Sequence, residues 1–210
     1  MNKQNNPTLQ QREYKHKREP IPRTWFLSNG YKKADTHYTN GCDIWLHPKT
    51  NDVFSAYGKL KLNLLPHEKH KKTKSRYLSL DLRNGYHIYL ARLKYLTFKG
   101  EIPAGYTIDH IDGNSLNNDI RNLRAVTPAI NRRDGGFLRK LRNHGIIVAM
   151  YPGIILQGFE RMAQWKATHK KWQYERLTRD ELLQIFVGPE FTVNDPERIM
   201  DRDISGHCEI

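Results

Sequence analysis

From Trp25 onward, short apolar runs alternate with turn-forming residues. CDIWLH, DVFSAY and LKLNLL are each too short for a helix and are separated by polar breaks, a pattern that predicts a small antiparallel sheet. After the charged stretch HEKHKKTKSR (67–76), RYLSLDL and GYHIYLARLKYLTF resume the alternation, with Arg83-Asn84-Gly85 as a hairpin turn. Ala91 to Phe98 fits helical and strand spacing about equally; a short helix is expected, closed by Gly100 and Pro103. Tyr106 to Asp109 reads as the end of a strand, Asp112-Gly113-Asn114 as turn chemistry and Leu123 to Thr127 as a returning strand. Thr127 then caps a helix that has Pro128 at its first position, and Gly135-Gly136 should end that helix after about two turns, leaving FLRKLRNHG as a separate helical piece. Further on, IIVAMYPGIIL and QWKATHKKWQYERL suggest strands, and TRDELLQIFV a helix with a Thr178/Glu181 capping box. The class is α+β: a small N-terminal antiparallel sheet, a central strand, loop, strand and helix, and a C-terminal strand-strand-helix module.

Charge changes this picture by suggesting a partner. The 210 residues carry a net charge of +13, and the isoelectric point is near 9.7. Nine of those charges lie in residues 1–75, while the stretch from Pro189 on is acidic. Such an excess points to a polyanion, nucleic acid first. The expected organisation is a flexible basic arm (1–23), a β-rich DNA-contacting region (24–75), a central catalytic domain (76–144), a C-terminal module (145–188) and an acidic tail (189–210). Cys42 and Cys208 are the only cysteines, with no CxxC, which argues against a disulfide framework or a structural zinc site and fits a reducing cytoplasm. No run has signal-peptide character or the length of a membrane span, so a soluble cytoplasmic monomer is expected.

The chemistry concentrates in residues 106–131, where Asp109 adjoins His110 and Asn114, Asn117, Asn118, Asn122 and Asn131 follow. On a regular strand Asp109 and His110 project to opposite faces, so a shared site requires the strand to end or bulge between them. An aspartate oxygen and an asparagine carbonyl are hard ligands suited to one Mg²⁺ or Mn²⁺, with water and phosphate filling the rest of the shell. A histidine titrating near neutrality can take a proton from an attacking water.

The stretch IPAGYTIDHIDGNSLNNDIRNLRAVTPAIN resembles the HNH nuclease motif of the ββα-metal class, in the phage homing-endonuclease variant that ends in Asn, and RLKYLTF is similar to the family's approach segment. The resemblance implies that Asp109 and Asn131 are metal ligands, that His110 is the general base, and that Asn122 positions the loop and base. Asn122 could equally serve only to brace the loop. Asp112, Gly113, Asn114 and Asn118 match the family's turn. One departure precedes the motif: Ala91-Arg92-Leu93 stands where the family commonly has His-Arg-Leu. WKATHKKWQYERLTRDELLQIF faintly resembles a DNA-binding module of the AP2 type, with Trp165 and Trp172 expected in its core.

Arg121, Arg124, Arg132 and Arg133 flank the motif and suit phosphate clamping, Arg124 and Arg132 foremost. Lys69, Lys71, Lys72 and Lys74 form a loop suited to sequence-independent phosphate contact. The expectation is a phage-encoded, metal-dependent endonuclease that hydrolyses double-stranded DNA in the host cytoplasm, in a homing role. Two alternatives remain open: a regulator or packaging factor that binds DNA on this fold without cutting it, and a nuclease directed at RNA.

Overall fold

The computed structural model describes residues 19–66, 76–146 and 152–188, and the chain divides into two compact units. The expected basic arm up to residue 18, the lysines at 69, 71, 72 and 74, and the acidic tail lie outside the described residues.

The first unit runs to Ile102 and adds Ser115–Leu123. Helix α1 (Arg23–Ser28) precedes an antiparallel sheet of β1 (Lys32–Lys33), β2 (Trp45–Leu46), β3 (Val53–Ser55) and β4 (Gly58–Lys59), in that order. A second antiparallel sheet orders β5 (Asn63–Pro66), β6 (Arg76–Asp81) and β7 (His87–Tyr89), followed by helix α2 (Leu90–Phe98). The apolar runs therefore lie where the alternation predicts strands, and the ambiguous segment from Ala91 is helical. Gly85, at φ 72°, supplies the left-handed residue of the β6–β7 turn. Leu46, Val53, Leu80, Ile88, Leu90 and Leu93 bury together as this unit's core. The boundary expected at 75/76 cuts between β5 and β6, which pair from Asn63 opposite Ser79 to Pro66 opposite Arg76. Strands this short bury too little apolar surface to stand alone, so both sheets and α2 share one core.

The second unit comprises Pro103–Asn114 and the chain from Arg124 on. Strand β8 (Thr107–His110) pairs with β9 (Leu123–Val126), and α3 (Pro128–Asn143) follows directly. The Thr127 hydroxyl accepts the Ile130 N–H at the start of α3, and Pro128 occupies the first turn, as the sequence predicts.

Two expectations are corrected here. Helix α3 does not stop at Gly135-Gly136 but continues to Asn143. Two interior glycines cost about 1 kcal/mol each, which is offset by burial of Phe137, Leu138 and Leu141 beyond them. The C-terminal region has no strand among its described residues: α4 (Pro152–Thr168), α5 (Lys171–Glu175) and α6 (Arg179–Val187) replace the expected strand-strand-helix, so the AP2-type likeness fails. Ile155, Phe159 and Met162 are buried at helical spacing, a period that the intervening polar residues obscure over short windows. The Thr178/Glu181 capping box does form. Trp165 packs against the core, whereas Trp172 is exposed, contrary to expectation. Ile111 after β8, Phe137, Leu138 and Leu141 of α3, and Ile155, Phe159, Leu182 and Phe186 of the later helices make one continuous core.

Candidate active site

Strand β8 carries Asp109 and His110 as its last two residues, with no end or bulge between them. The strand therefore ends after His110 and not between the two residues. The chain turns immediately afterwards: Gly113 N–H donates to the His110 carbonyl at 2.7 Å, and Asn114 N–H donates to Asp112 Oδ1 at 2.7 Å. Gly113 sits at φ +68°, and a Cβ there would lie 2.9 Å from Leu138 Cδ1 and 2.7 Å from Arg142 Nη2, so only glycine lets the turn rest on α3. Arg142 also donates to the Asp112 carbonyl at 3.1 Å. His110 is buried.

Asp109 faces a charged network. Arg124, from β9, donates through Nε at 2.9 Å and Nη2 at 2.8 Å to Asp109 Oδ2, and through Nη2 at 2.7 Å to Asp134 Oδ2 on α3. Arg133 Nε donates to the other Asp134 oxygen at 2.7 Å. The Asp109 and Arg124 side chains are 14% and 18% exposed, and that of Asp134 only 1%. Burial pushes the Asp109 carboxyl above its ordinary value; hydrogen bonds and charge from Arg124, with the charge of His110, pull it back, and the nearby Asp134 adds to the rise. Asn131, partly buried, lies one turn before Asp134 on the same side of α3. Arg132 is exposed, as a phosphate contact requires, whereas Arg124 is committed to two carboxylates. Arg121 pairs with Asp119 at 2.6 Å in the preceding loop.

The loop before β9 belongs to the first unit and is held there by buried polar groups. Asn122 is 1% exposed, and its amide donates to the Asn117 carbonyl at 2.9 Å, a bracing contact. The Asn118 amide donates to Asn51 Oδ1 at 3.1 Å and to the Leu116 carbonyl at 3.3 Å. Lys94 of α2, fully buried, donates to the carbonyls of Pro48 (2.9 Å), Thr50 (3.1 Å) and Asn118. Burial lowers its pKa to about 8, against an opposing pull from Asp119.

Lys94 and Asp134 are the two residues that sequence reasoning missed. Each occupies a charged position within an otherwise uncharged buried helical stripe: Leu90, Leu93, Lys94 and Thr97 on α2, and Asp134, Phe137, Leu138 and Leu141 on α3. That intrusion was the available signal.

Residues 89–133 match the family model described as HNH endonuclease. This segment is an HNH endonuclease motif. The HNH segment thus runs from the end of β7 through α2 and the β8–β9 hairpin into α3. Two curated relatives share part of it. The SPbeta prophage-derived protein YosQ of Bacillus subtilis (strain 168), whose name gives it as an HNH homing endonuclease, is 53% identical over 38 residues, 18% of this chain and 21% of that protein. Protein 3.8 of Escherichia phage T7 is 59% identical over 32 residues, 15% of this chain and 26% of its own length. The matched stretch thus spans about a fifth to a quarter of these relatives. The solved structure "DNA binding and cleavage by the HNH homing endonuclease I-HmuI" aligns at a TM-score of 0.36 and 26% identity, covering 51% of this chain and 57% of that one.

The donors in the HNH segment fit a hard divalent cation. Asp109 provides a carboxylate whose Oδ2 already rests against a cationic group, and Asn131 offers an amide oxygen. Among the described residues no three His, Cys, Asp or Glu side chains converge. No helix among the described residues is long and apolar enough to cross a membrane.

Proposed function

We propose that this protein is a metal-dependent endonuclease that hydrolyses phosphodiester bonds in double-stranded DNA, and that its biological role is that of a phage homing endonuclease. The observation that carries the reading is that Asp109 and His110 end strand β8, whose partner β9 leads directly into the helix that carries Asn131, within the segment matched to the HNH family. Asp109 and Asn131 would hold one Mg²⁺ or Mn²⁺. When bound, that ion would polarise the scissile phosphate and stabilise the leaving 3′ oxygen.

His110 takes a proton from the attacking water. Asp109 and His110 are consecutive at the end of β8, and the charge of His110 is felt at Asp109, so one phosphodiester could meet both. Asn122 acts by bracing the loop, through its amide bond to the Asn117 carbonyl. Arg132 and Arg133 contact phosphate, and Lys69, Lys71, Lys72 and Lys74 supply sequence-independent attraction.

The test is cleavage of supercoiled plasmid and of the protein's own genomic DNA, with Mg²⁺, Mn²⁺ or EDTA. His110→Ala should lower the cleavage rate about a hundredfold or more while DNA binding persists. Undiminished cleavage by this variant, or cleavage indifferent to EDTA, removes the proposed roles.

A further inference from the structure

We propose that Arg124 is an internal counter-cation for Asp109, which gives up that carboxylate to a divalent metal, and that Asp134 is the second anchor that retains the guanidinium when it does. This inference rests on the reading of Asp109 as a metal ligand.

The geometry assigns Arg124 two carboxylates at once. Its Nε and Nη2 both meet Asp109 Oδ2, while Nη2 also meets Asp134 Oδ2. Its guanidinium carbon lies 5.0 Å from the centre of the Phe159 ring, so α4 covers the group with an aromatic face. Asp134 is almost wholly buried; Arg133 meets its Oδ1 at 2.7 Å, and its Oδ2 is left to hold Arg124 whether or not a metal is present. Asp109 has its own need met by Arg124 in the metal-free chain, and a divalent ion would satisfy the same need. Two cations compete for one carboxylate, and the guanidinium has a second carboxylate, that of Asp134, already within reach. A phosphate clamp would instead leave the guanidinium turned outward, as Arg132 is placed. Arg124 is thus a positioning residue that sets the metal affinity of the apoprotein.

The two partners of Arg124 make opposite predictions, which a merely structural role would not. In the full chain without DNA, Mn²⁺ binding followed by electron paramagnetic resonance should tighten in Arg124→Gln by about tenfold or more, the scale on which one neighbouring charge alters a carboxylate's affinity for a cation. Asp134→Asn should weaken it, because Arg124 is then left to Asp109 alone. Arg124→Lys, which keeps the charge but lacks the planar fork that meets both carboxylates, should fall between wild type and Arg124→Gln. Should Arg124→Gln fail to fold, the wild type remains informative: the Arg124 Nε–H resonance should shift on titration with Mg²⁺, and not in Asp109→Asn. Weaker binding in both Arg124→Gln and Asp134→Asn, or an Arg124 signal indifferent to Mg²⁺ while Asp109→Asn abolishes binding, overturns the exchange and leaves the metal site standing. Mn²⁺ binding that survives Asp109→Asn unchanged overturns the metal-ligand reading and the exchange with it.

Discussion

Lys94 places an ammonium where burial disfavours charge and answers it with three backbone carbonyls, one of them in the Asn-rich loop. Its pKa of about 8 lies below the ordinary lysine value of about 10.4 expected in the unfolded chain. Between these values the unfolded state holds more protons than the folded one, so stability should rise as pH climbs from about 8 to about 10 and be lost again as pH falls. Urea midpoints measured across that range should show the rise in the wild type and its absence in Lys94→Met. A parallel rise in the variant would assign it to another group. Sequence alone pointed to Asp109, His110, Asn122 and Asn131 because their order and spacing resemble a known motif. It did not reveal the ion pairs of Arg124, since a flanking arginine reads as a phosphate contact until its distance to Asp109 and Asp134 is known.

At the scale of elements, α3 is the informative case. Gly135 and Gly136 are helical, have negative φ, and a Cβ at either would meet nothing within 4 Å. Gly135→Ala and Gly136→Ala should each stabilise the protein by about 1 kcal/mol, with a higher thermal midpoint in calorimetry. Gly158→Ala on α4 should do the reverse, because its Cβ would stand 2.6 Å from the Phe186 ring. A glycine pair is a local stop signal, and the local reading took it as one. The decisive contribution came from Phe137, Leu138 and Leu141, which pack on residues distant in sequence. The C-terminal segments that the sequence predicts as strands are helical for a related reason: short apolar runs are compatible with either period, and here the partner surface selects the helix.

For the molecule as a whole, the later helices are part of the unit that carries Asp109 and His110. Ile155, Phe159, Met162, Leu182, Leu183 and Phe186 share a core with Ile111 and the apolar face of α3. A chain ending at His144 would strip that face of its cover, so it should lose the cooperative unfolding of this unit and its plasmid nicking together, as circular dichroism and a nicking assay would show. Retained folding with retained nicking would make the C-terminal helices a separable module after all. Charge acts at the same scale: replacing Lys69, Lys71, Lys72 and Lys74 with Gln should lower affinity for all DNA sequences alike and reduce its salt dependence. A loss confined to one target sequence would make these lysines readers of bases.

What the sequence determined by itself was local or ordinal: the hairpin-forming alternation, the Thr127-Pro128 helix start, the Thr178/Glu181 box, the basic excess, and the order Asp109, His110, Asn122, Asn131. Each depends on neighbours a few residues apart, or on residue identity alone. Only the tertiary structure decided that α3 runs through two glycines, that the C-terminal region is helical and shares the hairpin's core, and that Arg124 is held by Asp109 and Asp134 while Lys94 supports the loop. These outcomes rest on burial and on contacts between distant segments, where the desolvation of a charge or an apolar face outweighs the preference of any single residue.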